Sequence, residues 1–353
     1  MKNKNLTIGT VRGIAIILVI YGHVIQRSMS AGGGDFFLNP VFKIIYTFHL
    51  PLFVFISGYL MTFSLSKRSV SEVFKTRCKS LLVPYVSWGI LGIMTNYFLN
   101  IIDGKNIGVI NFPWDLLDQL LLNPAVWFLF TLFILSCILL YSVKLQPQFG
   151  TIIFIVIYFL ILIIPYNNYC SLYFIKWFYL FYMTGYFINK CGIKITNKFI
   201  DRMVFFISLI MFGIFASYWT KNDYIYINKL SFISNQYFDE ILRIIYRYIM
   251  GFLGILIAFH IGTYFSNTKV ERSLGYIGIY SLDIYLIQRY IVEGIYPRIV
   301  YNAHINFDCN SPFFLCVFAP LVTTLFVGTC ILISKLLLRR NYLLNRLLLG
   351  DRI

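Results

Sequence analysis

Apolar positions in this chain cluster in long blocks separated by short polar stretches, and the blocks recur from one end to the other. Most are close to the roughly 20 residues an α-helix needs to cross the hydrocarbon core of a bilayer. Ten membrane spans are predicted, at 11–28, 41–64, 81–100, 124–142, 150–165, 172–189, 203–219, 241–262, 275–296 and 312–337. The fold class expected is therefore an all-α polytopic membrane protein, a bundle of about ten helices forming one domain over 1–353. The longest connections, 101–123, 220–240 and 297–311, are each too short to fold independently. All three fall on one side of the predicted topology. They mix aromatic residues, Asn and a few charges (Pro113-Trp-Asp115, Asp223-Tyr-Ile-Tyr226, His304-Ile-Asn-Phe307), as either plain connectors or a rim that binds an acceptor.

Composition agrees with that pattern: 353 residues, 59% hydrophobic and only 12% charged, against about 25% charged in soluble domains. The net charge of +16 suggests a nucleic-acid partner until its distribution is traced. With alternate connections assigned to opposite sides, nineteen basic residues fall on one side, including Lys2, Lys4, the Lys67–Lys79 loop and Arg339, Arg340 and Arg346. Only Arg27, Lys105, Lys221, Lys229 and Arg298 fall on the other. That asymmetry is the positive-inside bias. It places both termini in the cytoplasm and excludes nucleic acid as the reason for the charge. Lys2, Lys4 and the first apolar run mimic a signal peptide, but Arg12 and His23 within it fit a retained signal-anchor better. Seven cysteines are scattered without metal-ligand spacing, so no metal site is expected; Cys170 and Cys309 fall on the outer side, where a disulfide is chemically allowed.

The first span, "RGIAIILVIYGH", holds Arg12 and His23 eleven residues apart, about three helical turns, hence on one face and about 16 Å apart along the axis. A charge at the bilayer centre costs at least about 2.5–3.5 kcal/mol, so a polar stripe running most of the way across calls for a function. Arg12 lies at the cytoplasmic end and His23 in the outer third. The second span, "FHLPLFVFISGYL", carries His49 at a comparable depth, with Pro51 to kink the helix and Ser57 and Gly58 to admit a close neighbour. His23 and His49 are candidates for handling a proton near neutrality. His49 alternatively caps the carbonyl freed by Pro51. Asp283 and Glu293 are the two carboxylates within spans. Glu293 stands four after Arg289, the spacing of an ion pair on its own helix, and Asp283 is a candidate partner for Arg12. Arg243 and Arg247 share a face of the eighth span, either to grip an anionic glycan or lipid pyrophosphate or to anchor the interface. Lys176 and Trp177 read as an interface anchor.

These stretches, with "KTRCKSLLVPY" (Lys75–Tyr85), "AVWFLFTLF" (Ala125–Phe133) and "SLDIYLIQRYI" (Ser281–Ile291), fall in an order and spacing that resemble the membrane-bound acyltransferase-3 family of bacterial surface-glycan O-acyltransferases. The resemblance covers residues 10 to 291. It implies transfer of an acyl group, usually acetyl from cytoplasmic acetyl-CoA, to a carbohydrate or lipid-linked glycan hydroxyl at the outer leaflet of the inner (plasma) membrane. It also implies that no cofactor is permanently bound. By that resemblance Arg12 belongs with the donor, supplemented by Arg77 and Lys79, since a guanidinium pairs bidentately with phosphate. His23 belongs with the transfer, as general base or transient acyl carrier. His49, Ser57 and Tyr21 are the candidate donors to a developing oxyanion.

Three positions depart from the family pattern: Gly9 stands where an acidic residue is common, a second Arg is missing after Arg77, and Gln288 stands where a late His is expected. Gln288 can hydrogen-bond but not transfer a proton, which places acid–base work on His23 and His49. The function expected is O-acetyl transfer to a cell-surface polysaccharide or its lipid-linked precursor. The alternatives are succinyl transfer by the same route, or transport of a lipid-linked glycan without catalysis.

Overall fold

The computed structural model describes residues 2–102, 104, 112–122, 126–163, 172–193, 197–227, 237–303 and 308–351. Cys170 and the His304–Phe307 stretch lie outside them. Most of the described residues are helical, joined by short turns, and none of them forms a strand. Seven helices are long and apolar enough to cross a membrane. They cover the predicted spans beginning at 11, 41, 81, 124, 203, 241 and 312. The segment expected at 150–165 is a shorter apolar helix, Ile152–Ile163. The one expected at 172–189 is Tyr173–Lys190, whose tyrosines and lysines lower its hydropathy. The segment 275–296 is not one helix. It consists of Lys269–Ile279, a break at Tyr280, Ser281–Tyr290, and a π-helical turn Ile291–Ile295.

The chain forms two compact units, 1–56 with 188–228 and 236–335, and 57–187 with 229–235 and 336–353. At the centre of the first unit is α1 (Lys2–Ala31), a helix without proline. The start of α2 (Pro40–Leu65) belongs to this unit too. α1 packs against Tyr237–Tyr264, Lys269–Ile279, Ser281–Tyr290 and Ala319–Ile333. Its crossing with Lys269–Ile279 is made by glycines. A methyl group on Gly13 would collide with the carbonyl of Leu274, and one on Gly278 with the carbonyl of Gly9. Gly9 itself faces Gly275, where an added carbon would sit 3.5 Å from the opposing Cα. Small residues permit such close approach, and in lipid packing must replace the missing hydrophobic drive. The Thr10 hydroxyl completes the contact by donating to the Glu271 carbonyl at 3.3 Å. Gly9, read from the sequence only as a missing acid, is thus part of a helix crossing.

In the second unit, α3 (Val70–Ile102) opens with a capping box in which Ser69 N–H donates to Glu72 Oε2 at 2.8 Å and Glu72 N–H to Ser69 Oγ at 3.3 Å. Gly58 abuts the Tyr182 carbonyl closely enough that any side chain would collide with it. Ser136 and Tyr182 share a buried hydrogen bond of 2.9 Å. The tail segment Tyr342–Leu349 folds back on α3: Trp88 Nε1 donates to the Leu348 carbonyl at 2.8 Å, and Leu349 is fully buried. Lys176 is buried rather than at an interface and donates to the Leu162 carbonyl at 3.2 Å.

Candidate functional site

Because α1 is one continuous helix, Arg12 and His23 keep the separation of about 16 Å that eleven residues imply. Their surroundings differ from expectation. Arg12 Nη2 donates to Ser281 Oγ at 2.7 Å, at the break between Lys269–Ile279 and Ser281–Tyr290. Asp283, the expected partner, does act on Arg12 through its charge; it is fully buried and accepts a 2.6 Å hydrogen bond from Ser334.

His23 lies one turn before Arg27 on the same face of α1. Its Nδ1 donates to Gln26 Oε1 at 3.0 Å. An amide oxygen only accepts, so in this geometry Nδ1 is the donor and Nε2 is the nitrogen left to gain or lose a proton. Nε2 faces Glu293 Oε1 at 3.7 Å. The Tyr46 hydroxyl donates to Gln26 Oε1 at 3.4 Å and lies 3.5 Å from His23 Nδ1. Gly22 makes room for it, since a carbon added there would meet the Tyr46 ring at 2.8 Å.

His49 is not a direct partner of His23. Tyr46 stands between them, 6.3 Å from the first ring and 4.6 Å from the second, centre to centre. His49 Nδ1 donates to the Ile45 carbonyl at 2.7 Å. That is a backbone bond one turn back, though not to the Thr47 carbonyl that Pro51 leaves without its helical partner. The Tyr21 hydroxyl is committed to the Leu315 carbonyl at 2.5 Å. Ser57 belongs to the second unit, eight residues or about 12 Å farther along α2 than His49.

The centre of the cluster is Glu293, which the sequence spacing presents only as the partner of Arg289. Its Oε2 accepts from Arg289 Nη1 at 2.5 Å and from Arg27 Nη2 at 3.0 Å. Its Oε1 accepts from Gln288 Nε2 at 3.0 Å and faces His23. The carboxylate reaches all of these because it lies in the π-helical turn Ile291–Ile295. On an α-helix, Gln288 and Glu293 would point about 140° apart; the wider turn lets both Gln288 and Arg289 meet one carboxylate. Such turns recur at functional sites. Two polar atoms beside this hub, Arg27 Nε and Gln288 Oε1, are buried and have no hydrogen-bond partner among the described residues.

Arg243 and Arg247 face inward. Arg243 pairs with Asp223 at 2.7 Å, and the fully buried Arg247 donates to the Asn222 carbonyl at 2.9 Å and the Tyr224 carbonyl at 3.5 Å. Both clasp the 220–224 loop rather than facing ligand or lipid. Asp35 on the neighbouring connection pairs with Lys221 at 3.0 Å, and with the Phe37 N–H this holds its carboxyl below the ordinary range. In the second unit, Arg77 Nη2 contacts Met61 Sδ at 2.9 Å, and Lys79 is paired with Asp351 of the tail.

A family model described as an acyltransferase domain matches residues 5–338 of the chain. Among curated proteins, the nodulation protein NolL of Sinorhizobium fredii is 40% identical over 87 residues, 25% of this chain and 24% of that protein. NolL of Mesorhizobium japonicum is 40% identical over 87 residues, 25% of this chain and 23% of that protein. The chain thus spans about a quarter of the length of the curated relatives it matches. No solved structure matches.

Proposed function

Because the chain belongs to the acyltransferase-domain family, we propose that it is a membrane O-acyltransferase. It carries acetyl from cytoplasmic acetyl-CoA to a hydroxyl of a cell-surface polysaccharide or its lipid-linked precursor, across the inner membrane. The observation that carries this reading is the placement of His23 between Gln26 and Glu293. With Nδ1–H held by Gln26, Nε2 is the basic nitrogen and takes the proton of the acceptor hydroxyl as its oxygen attacks the thioester carbonyl. The tetrahedral intermediate then expels the CoA sulfur, which leaves with the proton from His23. The products are an O-acyl ester and free CoA thiol. Glu293, which faces Nε2 itself, stabilises the imidazolium by its charge while it lasts. The unpartnered Gln288 Oε1 is an acceptor for a second hydroxyl, which suits a polyhydroxylated substrate.

On the donor side, Arg12 is half-buried near the start of α1 and offers a guanidinium to the CoA phosphates. The donor arm or a relayed acyl group bridges the 16 Å or so between Arg12 and His23. The topology proposed has ten spans and both termini cytoplasmic, on the strength of the basic-residue asymmetry.

The test is mass spectrometry of the surface glycan from cells with the protein, without it, and with His23→Ala. Loss of an acetyl-sized mass in the latter two supports the reading, and a succinyl-sized loss transfers it to the other acyl group. A shortened or absent glycan with unchanged acylation would overturn it in favour of a glycan carrier.

A further inference from the structure

An acyl transfer needs a donor for the negative charge that develops on the thioester oxygen, and the three groups expected from the sequence do not meet the need. Tyr21 donates to Leu315 and His49 to Ile45. Ser57 lies about 12 Å farther along α2 than His49 and falls in the other unit. Other donors near His23 are drawn elsewhere: the Tyr46 hydroxyl to Gln26, Ser28 to the Tyr296 hydroxyl at 2.7 Å, and one N–H each of Gln288 Nε2 and Arg289 Nη1 to Glu293, with the Arg289 side chain 40% exposed.

Arg27 is different. Its Nη2 holds Glu293 at 3.0 Å, while its Nε–H is buried without a partner among the described residues. A guanidinium presents its N–H groups as a rigid planar fork, so with Nη2 fixed on the carboxylate the orientation of Nε–H is fixed too. Arg27 stands four residues after His23 on α1, on the same face. Charge points the same way. Arg27 and Arg289 share one carboxylate, so with His23 neutral the cluster keeps one surplus positive charge, and only a group that becomes negative during reaction would balance it.

We propose that Arg27 is a further catalytic residue, whose Nε–H holds the thioester carbonyl oxygen as it turns into the oxyanion of the tetrahedral intermediate. This rests on the acyl-transfer reading above. Within it, the acceptor oxygen bonds to the carbonyl carbon, the π electrons move onto the oxygen facing Arg27, and they return as the carbon–sulfur bond breaks.

The experiment uses membrane vesicles from cells that make the surface glycan, so that the acceptor is present with the full chain, with acetyl-CoA as the probe and released CoA thiol as the readout, for wild type, Arg27→Gln, Arg27→Lys and Glu293→Gln. Arg27→Gln is expected to lower kcat about 10²–10³-fold, the cost of losing one oxyanion donor, with the KM for acetyl-CoA within about twofold of wild type. Arg27→Lys keeps the charge but cannot serve Glu293 and the oxyanion through a planar fork; it should fold and remain about 10–100-fold slow. If Arg27 acted only by holding Glu293, adding Arg27→Gln to Glu293→Gln would cost nothing more; a further loss of at least about tenfold is expected. A raised KM with intact kcat in Arg27→Gln, or a wild-type rate in Arg27→Lys, overturns the assignment. It falls as well if the double variant is no slower than Glu293→Gln alone. Wild-type vesicles that release no thiol overturn instead the acyl-transfer reading on which it rests.

Discussion

Around His23, one carboxylate gathers two arginines and an amide and faces the imidazole, while a guanidinium N–H and an amide oxygen beside it have no partner among the described residues. Around Lys79, the cation expected to meet an anionic donor is already paired with Asp351, and its neighbour Arg77 rests on a methionine sulfur. Both clusters carry charge, but in one two buried polar atoms lack a protein partner and in the other the lysine is paired. Buried polar atoms are normally satisfied, so unspent ones mark where a ligand is awaited. A half-exposed ion pair is worth only about 0–1 kcal/mol and yields easily to a stronger anion.

The comparison breaks first at His23. His23→Ala is expected to cut acyl-ester formation by about 10²–10⁴-fold, the usual contribution of a general base, whereas Lys79→Ala should cost less than about tenfold. Ester content of the surface glycan, read by mass spectrometry, compares the two directly. Equal losses would mean the Lys79 cluster is as essential as the His23 cluster. Next in size is Glu293→Ala, which leaves Arg27 and Arg289 side by side without their carboxylate. Because both arginines are partly exposed, the cost should be about 2–3 kcal/mol, below that of breaking a fully buried pair. It would be seen as a lowered melting temperature in detergent, and a melt unchanged by the substitution would remove Glu293 from the centre of the network.

The glycine crossing sharpens the picture within α1. Gly13→Ala should cost about 1–3 kcal/mol by overpacking, since the new methyl group meets a backbone carbonyl. Gly9→Ala, with ordinary van der Waals room, should stay within about 0.5 kcal/mol. Indistinguishable melts would refute the close crossing. The smallest effect is expected for Asp351→Asn. Stability should move by less than about 1 kcal/mol, while the freed Lys79 lowers the KM for acetyl-CoA a few-fold, measured by thiol release. A raised KM would show that the tail assists the donor.

Much of this was readable in the amino-acid order. Arg12 and His23 stand out because polar side chains in an apolar helix are costly, and their shared face follows from helical spacing alone. Most of the long spans emerge from block length. What escaped did so for physical reasons. Glu293 looks like an ordinary i, i+4 pair with Arg289, since a π-helical turn changes the phase of the helix without leaving a compositional signature. Gln26 and Arg27 read as the polar end of a span, and only three-dimensional proximity to Ser281–Ile295 gives them partners. Arg243 and Arg247, four residues apart, share a face by helical spacing, but the loop that occupies them folds back in a way that no periodicity encodes. Gly9 and Gly275 carry no side chain to betray their contact.

The π-helical turn has one more consequence. Glu293 meets Gln288 because five residues, not four, complete the turn between them. The aim of the carboxylate is therefore written in a residue count as much as in a residue type. Inserting a single apolar residue beside Val292 would put Glu293 six residues after Gln288 and swing the two apart, though every polar side chain of the cluster would still be present. Chains descended from this one should tolerate exchange among Ile, Val and Leu at 291, 292 and 295 far more readily than an added residue.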